Sequence, residues 1–273
     1  MSKNGIALVI SDIDGTLITS NHEVTEATKR AAARLYERGI RLSLASSRPP
    51  RSIRPMAEAL SLRSPFAAFN GALVATSDGE IIARATLAPE ITHRIKAIAD
   101  ELGINIWLYD DDEWYVSERT AFVDREEHTA GFAPNMADFE KLLGENLPKL
   151  TVVGKPELVA IAEERVLDEL GDRVSASRSK PRFLDVTSYG IHKGTVVVRL
   201  AEMFEISTDS VAVIGDGPND VEMFRQAAVS IAMGQAVDEV RAAASHATAS
   251  NDDEGWAEGI EKHVLGSPQS AGA

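Results

Sequence analysis

Two aspartates one residue apart, Asp12 and Asp14, directly follow the apolar run Ile6-Ala7-Leu8-Val9-Ile10 and precede Gly15-Thr16-Leu17. In extended backbone, residues two apart project to the same side, so both carboxylates can converge on one reacting group. A carboxylate is ionised at neutral pH and can act as a nucleophile, while a second one with a raised pKa can give and take the proton. Gly15 allows the chain to turn sharply there. The same residues would equally make a simple turn closed by capping side chains, so companions elsewhere in the chain must decide between the two readings.

The first companion is Val213-Ile214-Gly215-Asp216-Gly217-Pro218-Asn219-Asp220, again a strand running into an acidic, glycine-containing turn and then a helix. Carboxylates from two strand ends suit octahedral magnesium, which takes one or two protein carboxylates and keeps places for water and a phosphate oxygen. Asp220 could alternatively serve as a helix cap. The second companion is Lys193, in His192-Lys193-Gly194-Thr195 at the start of a predicted helix. Its point charge can balance a transferring phosphoryl group, although a lysine beside glycine is also a common surface residue. Ser46-Ser47-Arg48 follows a predicted strand ending at Ala45 and offers hydroxyls and amides to phosphate oxygens. Such a trio is also an ordinary loop.

The elements that must position these residues can be read from periodicity. Ile6 to Ile10 is the short continuous apolar run of a parallel strand buried on both faces. Residues 25–38 place Ala27, Ala31, Leu35 and Tyr36 at helical spacing, and Gly39 stops the helix before the strand at 40–45. A helix over 52–60 and a strand over 66–69 entering Asn70-Gly71 continue the alternation. Near the other end come a helix at 194–204, a strand at 210–214, a helix at 220–227 and a strand at 230–233. This alternation predicts an α/β fold with a doubly wound, Rossmann-like parallel sheet, whose ligands bind beyond the carboxyl ends of its strands.

The middle of the chain has another texture. A helix from Pro89 to about Gly103 precedes Ile104–Tyr109 and Trp114–Ser117, which flank the acidic turn Asp110-Asp111-Asp112-Glu113 as a hairpin. Strands near 150–153 and 182–186 surround a helix at 156–170. Residues 84–185 are therefore predicted to form an inserted α+β domain, with 1–83 and 186–273 as the core. Trp107, Tyr109, Trp114 and Tyr115 either pack on sheet faces or stack on a sugar. Packing is likewise the expectation for His128 and His192.

Composition narrows the partners. With 44% hydrophobic and 26% charged residues the chain has the make-up of a folded globular protein, and its 273 residues can bury a substantial core. Acidic residues exceed basic ones by 42 to 28, a formal charge of −14 that repels nucleic acid and anionic membranes. It also repels phosphate, so a phosphate site must create its own positive field. The absence of cysteine excludes disulfides and thiol nucleophiles and fits a cytoplasmic location. The N-terminal apolar run is too short for a signal peptide, no stretch approaches a membrane span, and the small, polar tail at 266–273 is expected to have little order.

Taken together, Asp12-Ile13-Asp14-Gly15-Thr16-Leu17, Ser46, Lys193 and Gly215-Asp216-Gly217-Pro218-Asn219-Asp220 resemble, in order and setting, the motifs of the haloacid dehalogenase superfamily of phosphohydrolases. The inserted domain, Asn70-Gly71-Ala72, Asn219-Asp220 with Met223, Ala232-Met233-Gly234 and the segment Ala247 to Gly255 resemble its Cof-type branch, subfamily IIB, and the likeness runs over essentially the whole chain. The resemblance implies a HAD-like core with a cap inserted at 84–185, and a phosphatase acting on small phosphomonoesters, sugar phosphates among them, through an aspartyl-phosphate intermediate. It implies Asp12 as nucleophile, Asp14 as acid and base, and Lys193 as charge partner. Asp12, the Asp14 carbonyl and Asp216 would bind magnesium; the Ile13 amide, Ser46, Ser47, Lys193 and Asn219 would hold phosphate. Asp220, Asn70, Gly71 and Arg48 would support these or touch substrate. Ser47, Gln235 and Trp256 depart from the residues usual in the family, which bears on substrate fit. The partner expected is a small phosphorylated metabolite, with the protein a monomer or homodimer. A phosphomutase of the same subfamily, or a non-catalytic sugar-phosphate sensor, are the alternatives; free phosphate release and retention of Asp12, Asp14 and Lys193 discriminate against each in turn.

Overall fold

The apolar run forms the strand Leu8–Ser11, an interior strand paired on both edges and buried along its whole length. It lies parallel to Arg41–Leu44 on one side and to Val211–Gly215 on the other, with Ser11 opposite both Leu44 and Ile214. The computed structural model describes residues 5–266, and this five-stranded parallel sheet continues from Val211–Gly215 to Val229–Ala232 and His246–Ala247. The segment 267–273, expected to have little order, lies outside the described residues. Since the chain leaves Leu8–Ser11 for a neighbour on one side and returns on the other, the strand order reverses at its carboxyl end. In parallel sheets such a reversal opens the crevice that takes a ligand.

Helices flank this sheet in pairs: Glu26–Glu37 packs with Gly255–Ile260, and Lys193–Met203 with Val221–Gln226. Each is placed by local chemistry. Glu26–Glu37 starts where the Thr25 hydroxyl accepts the Thr28 amide at 3.2 Å, an N-cap that satisfies one of the first unpaired donors. Its buried residues Thr28, Ala31, Ala32 and Leu35 recur at helical spacing.

Close Cα packing divides the chain into two units: one of the segment ending at Ser46, Met56–Phe66 and the chain from Lys193 onward, the other of Ser47–Pro55 and Ala67–His192. The second unit contains a six-stranded sheet, ordered Val174–Lys180, Phe183–Ser188, Lys149–Val153, Asn105–Tyr109, Trp114–Val116 and Asn135–Met136. The predicted hairpin is there, pairing Leu108 with Tyr115 and Tyr109 with Trp114. Alternation divides the sheet's residues between its two faces. Ile106, Leu108, Leu150, Val152, Leu184 and Val186 join the apolar sides of the helices Pro89–Glu101 and Pro156–Leu170 in one core. Trp107, Tyr109, Thr151 and Asp185 occupy the opposite face and are buried too. Trp107 lies 5.2 Å, centroid to centroid, from both Trp114 and Phe183, so these aromatics pack against one another.

Three features differ from the sequence pattern. Phe66–Ala68 belongs to a three-stranded sheet with Leu73–Ala75 and Ile81–Arg84, since the turn at Asn70-Gly71 returns the chain to a local partner. The helix Ala121–Ala130 has only Val123 fully buried, so its apolar periodicity is too weak to read. Val174–Lys180 is a polar strand made by pairing with Phe183–Ser188. Among the described residues, no helix is long and apolar enough to cross a membrane.

The carboxyl end of Leu8–Ser11 is braced from below. Trp256 is 1% exposed, and its indole N–H donates to the Ser11 hydroxyl at 2.8 Å. That hydroxyl donates in turn to the Asp12 carbonyl at 2.6 Å. Replacing Trp256 by Phe keeps most of the ring and removes the donor. The expected outcome is a loss of about 1–2 kcal/mol of unfolding free energy in urea with an unchanged denaturant slope.

Candidate active site

Ser11 is the last paired residue of its strand, so Asp12 emerges from the sheet at the reversal point. Its amide still donates to the Ile214 carbonyl at 3.0 Å, which ties its backbone to the strand that carries Asp216. Beyond it, Ile13–Leu17 closes a tight turn in which Asp14 is extended and Gly15 takes φ 73°. A side chain at Gly15 would put its Cβ 2.3 Å from an Asp216 carboxylate oxygen. Only glycine satisfies both the backbone angle and that approach. The Thr16 hydroxyl donates to Asp216 Oδ1 at 3.2 Å, and the Gln235 side-chain amide donates to the Gly15 carbonyl. Gln235 also accepts the Asn251 amide at 3.2 Å. The two departures Gln235 and Trp256 therefore brace the turn around Asp12.

Lys193 joins the motifs. It opens the helix Lys193–Met203, is 2% exposed, and donates to Asp12 Oδ1 and Asp220 Oδ1, each at 2.6 Å. Asp220 is fully buried, and its second oxygen accepts the amides of Asp216 and Gly217 at 2.9 Å each. Asp220 is thus a brace as well as a charge: it shapes the Gly215–Asp220 turn and anchors the ammonium.

Carboxylate oxygens of Asp12, Asp216 and Asp220 lie within 4.8 Å of one another. Burial pushes Asp12 well above the usual carboxylate range; Lys193 opposes this, and the charges of Asp220, Asp216 and Asp14 add to it. Burial and then Asp220 push Asp216 up to about 6. For Lys193, burial acts downward, but the charges of Asp12 and Asp220 outweigh it and hold the ammonium above the ordinary lysine range. Asp12, Asp216 and Asp220 gather around an ammonium bonded to two of them, an excess of negative charge that a divalent cation fits. With Asp220 filled by three N–H donors, Asp12 and Asp216 are the carboxylates suited to hold it.

Of the other expected residues, Ser46 is buried just past the Arg41–Leu44 strand, and its neighbour Ala45 donates its amide to the Ser11 carbonyl at 2.8 Å. Ile13 is buried and Asn219 half-buried, each next to the aspartates of its motif. Ser47, Arg48, Asn70 and Gly71 belong to the second unit. There Asn70 takes φ 56° and Gly71 φ 106°, a left-handed corner that asparagine and glycine tolerate. Gln235 and Trp256 are the residues sequence reasoning placed elsewhere, and their side-chain partners come from positions more than 200 residues away, beyond any local signal.

Residues 9–260 match the family model for haloacid dehalogenase-like hydrolases. A Haemophilus influenzae protein provisionally named as a phosphatase is 30% identical over 259 residues, covering 91% of this chain and 95% of its own. The HMP-PP phosphatase of Escherichia coli is 26% identical over 239 residues and 88% of each chain. The crystal structure of a haloacid dehalogenase-like hydrolase from Bacteroides thetaiotaomicron matches with a TM-score of 0.85 at 29% identity, covering 94% of this chain and 98% of that one.

The raised Asp216 gives a pH-dependent prediction. The folded chain without metal keeps its proton to about pH 6, whereas the unfolded chain releases it near 3.8. The folded state holds the extra proton between those values, so its stability falls as pH rises through that window. A divalent cation competes with that proton and offsets the loss above it. Adding magnesium should therefore raise the melting temperature more at about pH 7.5 than at about pH 5, as read by differential scanning calorimetry. An equal gain at both values would contradict the assignment of Asp216 as a ligand.

Proposed function

We infer, since the chain belongs to the haloacid dehalogenase-like hydrolase family, that it is a magnesium-dependent phosphatase of small phosphomonoesters in which Asp12 is the nucleophile. The observation that carries this reading is Lys193, bonded at 2.6 Å to both Asp12 and Asp220 beside the Asp216 carboxylate. A buried ammonium at this place neutralises the nucleophile and the incoming phosphoryl group together, which a chain of charge −14 must arrange locally.

An Asp12 oxygen attacks phosphorus in line with the ester oxygen, forming the aspartyl phosphate as the P–O bond to the alcohol breaks. Asp14, half-buried and two residues on, donates its proton to the departing oxygen. It then takes a proton from the water that attacks the same phosphorus, and the Asp12–phosphorus bond breaks to release phosphate. Lys193 stays paired with Asp12 throughout and offsets the charge gathering on the phosphoryl oxygens. The Ile13 amide, Ser46, Ser47 and Asn219 are assigned to those oxygens. Asp12, the Asp14 carbonyl and Asp216 would hold magnesium, which when bound supplies Lewis-acid charge neutralisation. We assign 84–185 as the inserted cap, supported by its own sheet and apolar core, and sugar phosphates as the first substrates to test.

Asp12→Asn keeps size and removes the nucleophile. Phosphate release from a panel of phosphomonoesters should fall by on the order of 10³-fold or more while the melting curve stays cooperative. Wild-type release should also stop with a chelator and return with magnesium. Transfer to a second hydroxyl of the substrate without free phosphate would instead identify a mutase.

A further inference from the structure

The second unit buries a charged pair that the phosphoryl chemistry above does not use. Lys149 and Asp185, on neighbouring strands of its six-stranded sheet, are 4% and 3% exposed. Their charged atoms are 2.9 Å apart. The Thr151 hydroxyl donates to the same Asp185 oxygen at 2.8 Å, and the ammonium lies 4.8 Å from the centre of the Tyr109 ring. The other Asp185 oxygen has no hydrogen-bond partner among the described residues. A buried ion pair is a poor stabilising device, because desolvation cancels most of the attraction and apolar residues of equal volume often serve better. The other face of this sheet shows that apolar packing is available to it.

What Lys149 does that an apolar side chain could not is donate to the Ser47 carbonyl, at 3.0 Å. The peptide from Ser47 to Arg48 is planar, so fixing the carbonyl also sets the direction of the Arg48 N–H. The Arg48 carbonyl accepts the Phe69 amide at 3.1 Å, and its guanidinium donates to the Thr129 carbonyl at 3.0 Å. Two consecutive carbonyls directly after Ser46 are thus held by the second unit's own residues. The loop has no helix or ladder of its own to do this.

We propose that Lys149 is a positioning residue for the phosphate-binding loop: through the Ser47 carbonyl it fixes Ser46–Arg48, and Asp185 with Thr151 holds its ammonium in place. This rests on Ser46 and Ser47 being phosphate ligands and deepens that reading by assigning what orders them.

Lys149→Met alone strands Asp185 without a cation and is expected to unfold easily. The informative variant is therefore Lys149→Met with Asp185→Leu, which removes the pair together; Lys149→Met with Asp185→Asn serves if the first does not fold. The folded double variant should show faster amide exchange confined to peptides spanning Ser46–Arg48. Its KM for a phosphomonoester should rise roughly tenfold or more, with a smaller change in kcat. Lys149→Arg, which retains a cationic donor, should restore most of both. Unchanged exchange at Ser46–Arg48 in a folded double variant overturns the proposal, as does an unchanged KM. Exchange is read without turnover. A wild-type chain that releases no phosphate from any ester would therefore count against the phosphatase reading, while exchange still decides what Lys149 does.

Discussion

The buried ammonium of Lys193 is the interaction on which the site depends. Without it, Asp12 and Asp220 would be like charges in a dry place, and each would take up a proton or draw in water. Its charge opposes the rise that burial causes at Asp12, and in the proposed mechanism it favours the anion that attacks phosphorus. The ammonium reaches both carboxylates because three separate elements end together: the strand before Asp12, the turn before Asp220 and the first turn of its own helix. The parallel sheet is what makes them end together. Leu8–Ser11 and Val211–Gly215 are adjacent and in register, so their carboxyl ends are level.

Burial and charge pull in opposite directions here, and the magnitudes decide the outcome. Burial displaces Asp12 and Asp216 upward, the latter to about 6; the neighbouring aspartate charges add to this and Lys193 opposes it. In the chain alone the Asp12 carboxyl is therefore disfavoured as an anion, by its burial first and by the neighbouring aspartates after that. In the proposed reaction a divalent cation would lessen the repulsion and Lys193 would meet the phosphate charge.

Much of this was legible in the sequence because it is local. Asp12 and Asp14 follow an apolar run that only a buried strand explains, and the turn before Asp220 repeats that grammar. The helices at 26–37, 89–101 and 156–170 start at a threonine cap or at proline and carry apolar residues at helical spacing. What was not legible depends on partners distant in the chain. Trp256 donates to Ser11, 245 positions away, and Gln235 to Gly15, 220 away. In the sequence both look like substitutions bearing on substrate, and in the structure both bond to the backbone or hydroxyl groups beside Asp12. Val174–Lys180 failed as a strand in the sequence because its residues are polar and its ladder is supplied by the following strand.

The two buried lysines divide the labour in a way that composition alone would obscure. Each is paired with an aspartate in a setting where an apolar pair would have been the safer choice for stability. The Lys193 ammonium is held by two carboxylates, so in the proposed mechanism its charge belongs to the chemistry, and altering it alters the electrostatics of Asp12 directly. Lys149 is paired with one carboxylate and donates to a backbone carbonyl, so in the proposed role its effect is on geometry. A charge that must neutralise a nucleophile has to touch it, whereas a charge that orders a loop need touch only the peptide it fixes. The partners of a buried lysine therefore report its task more directly than its burial does.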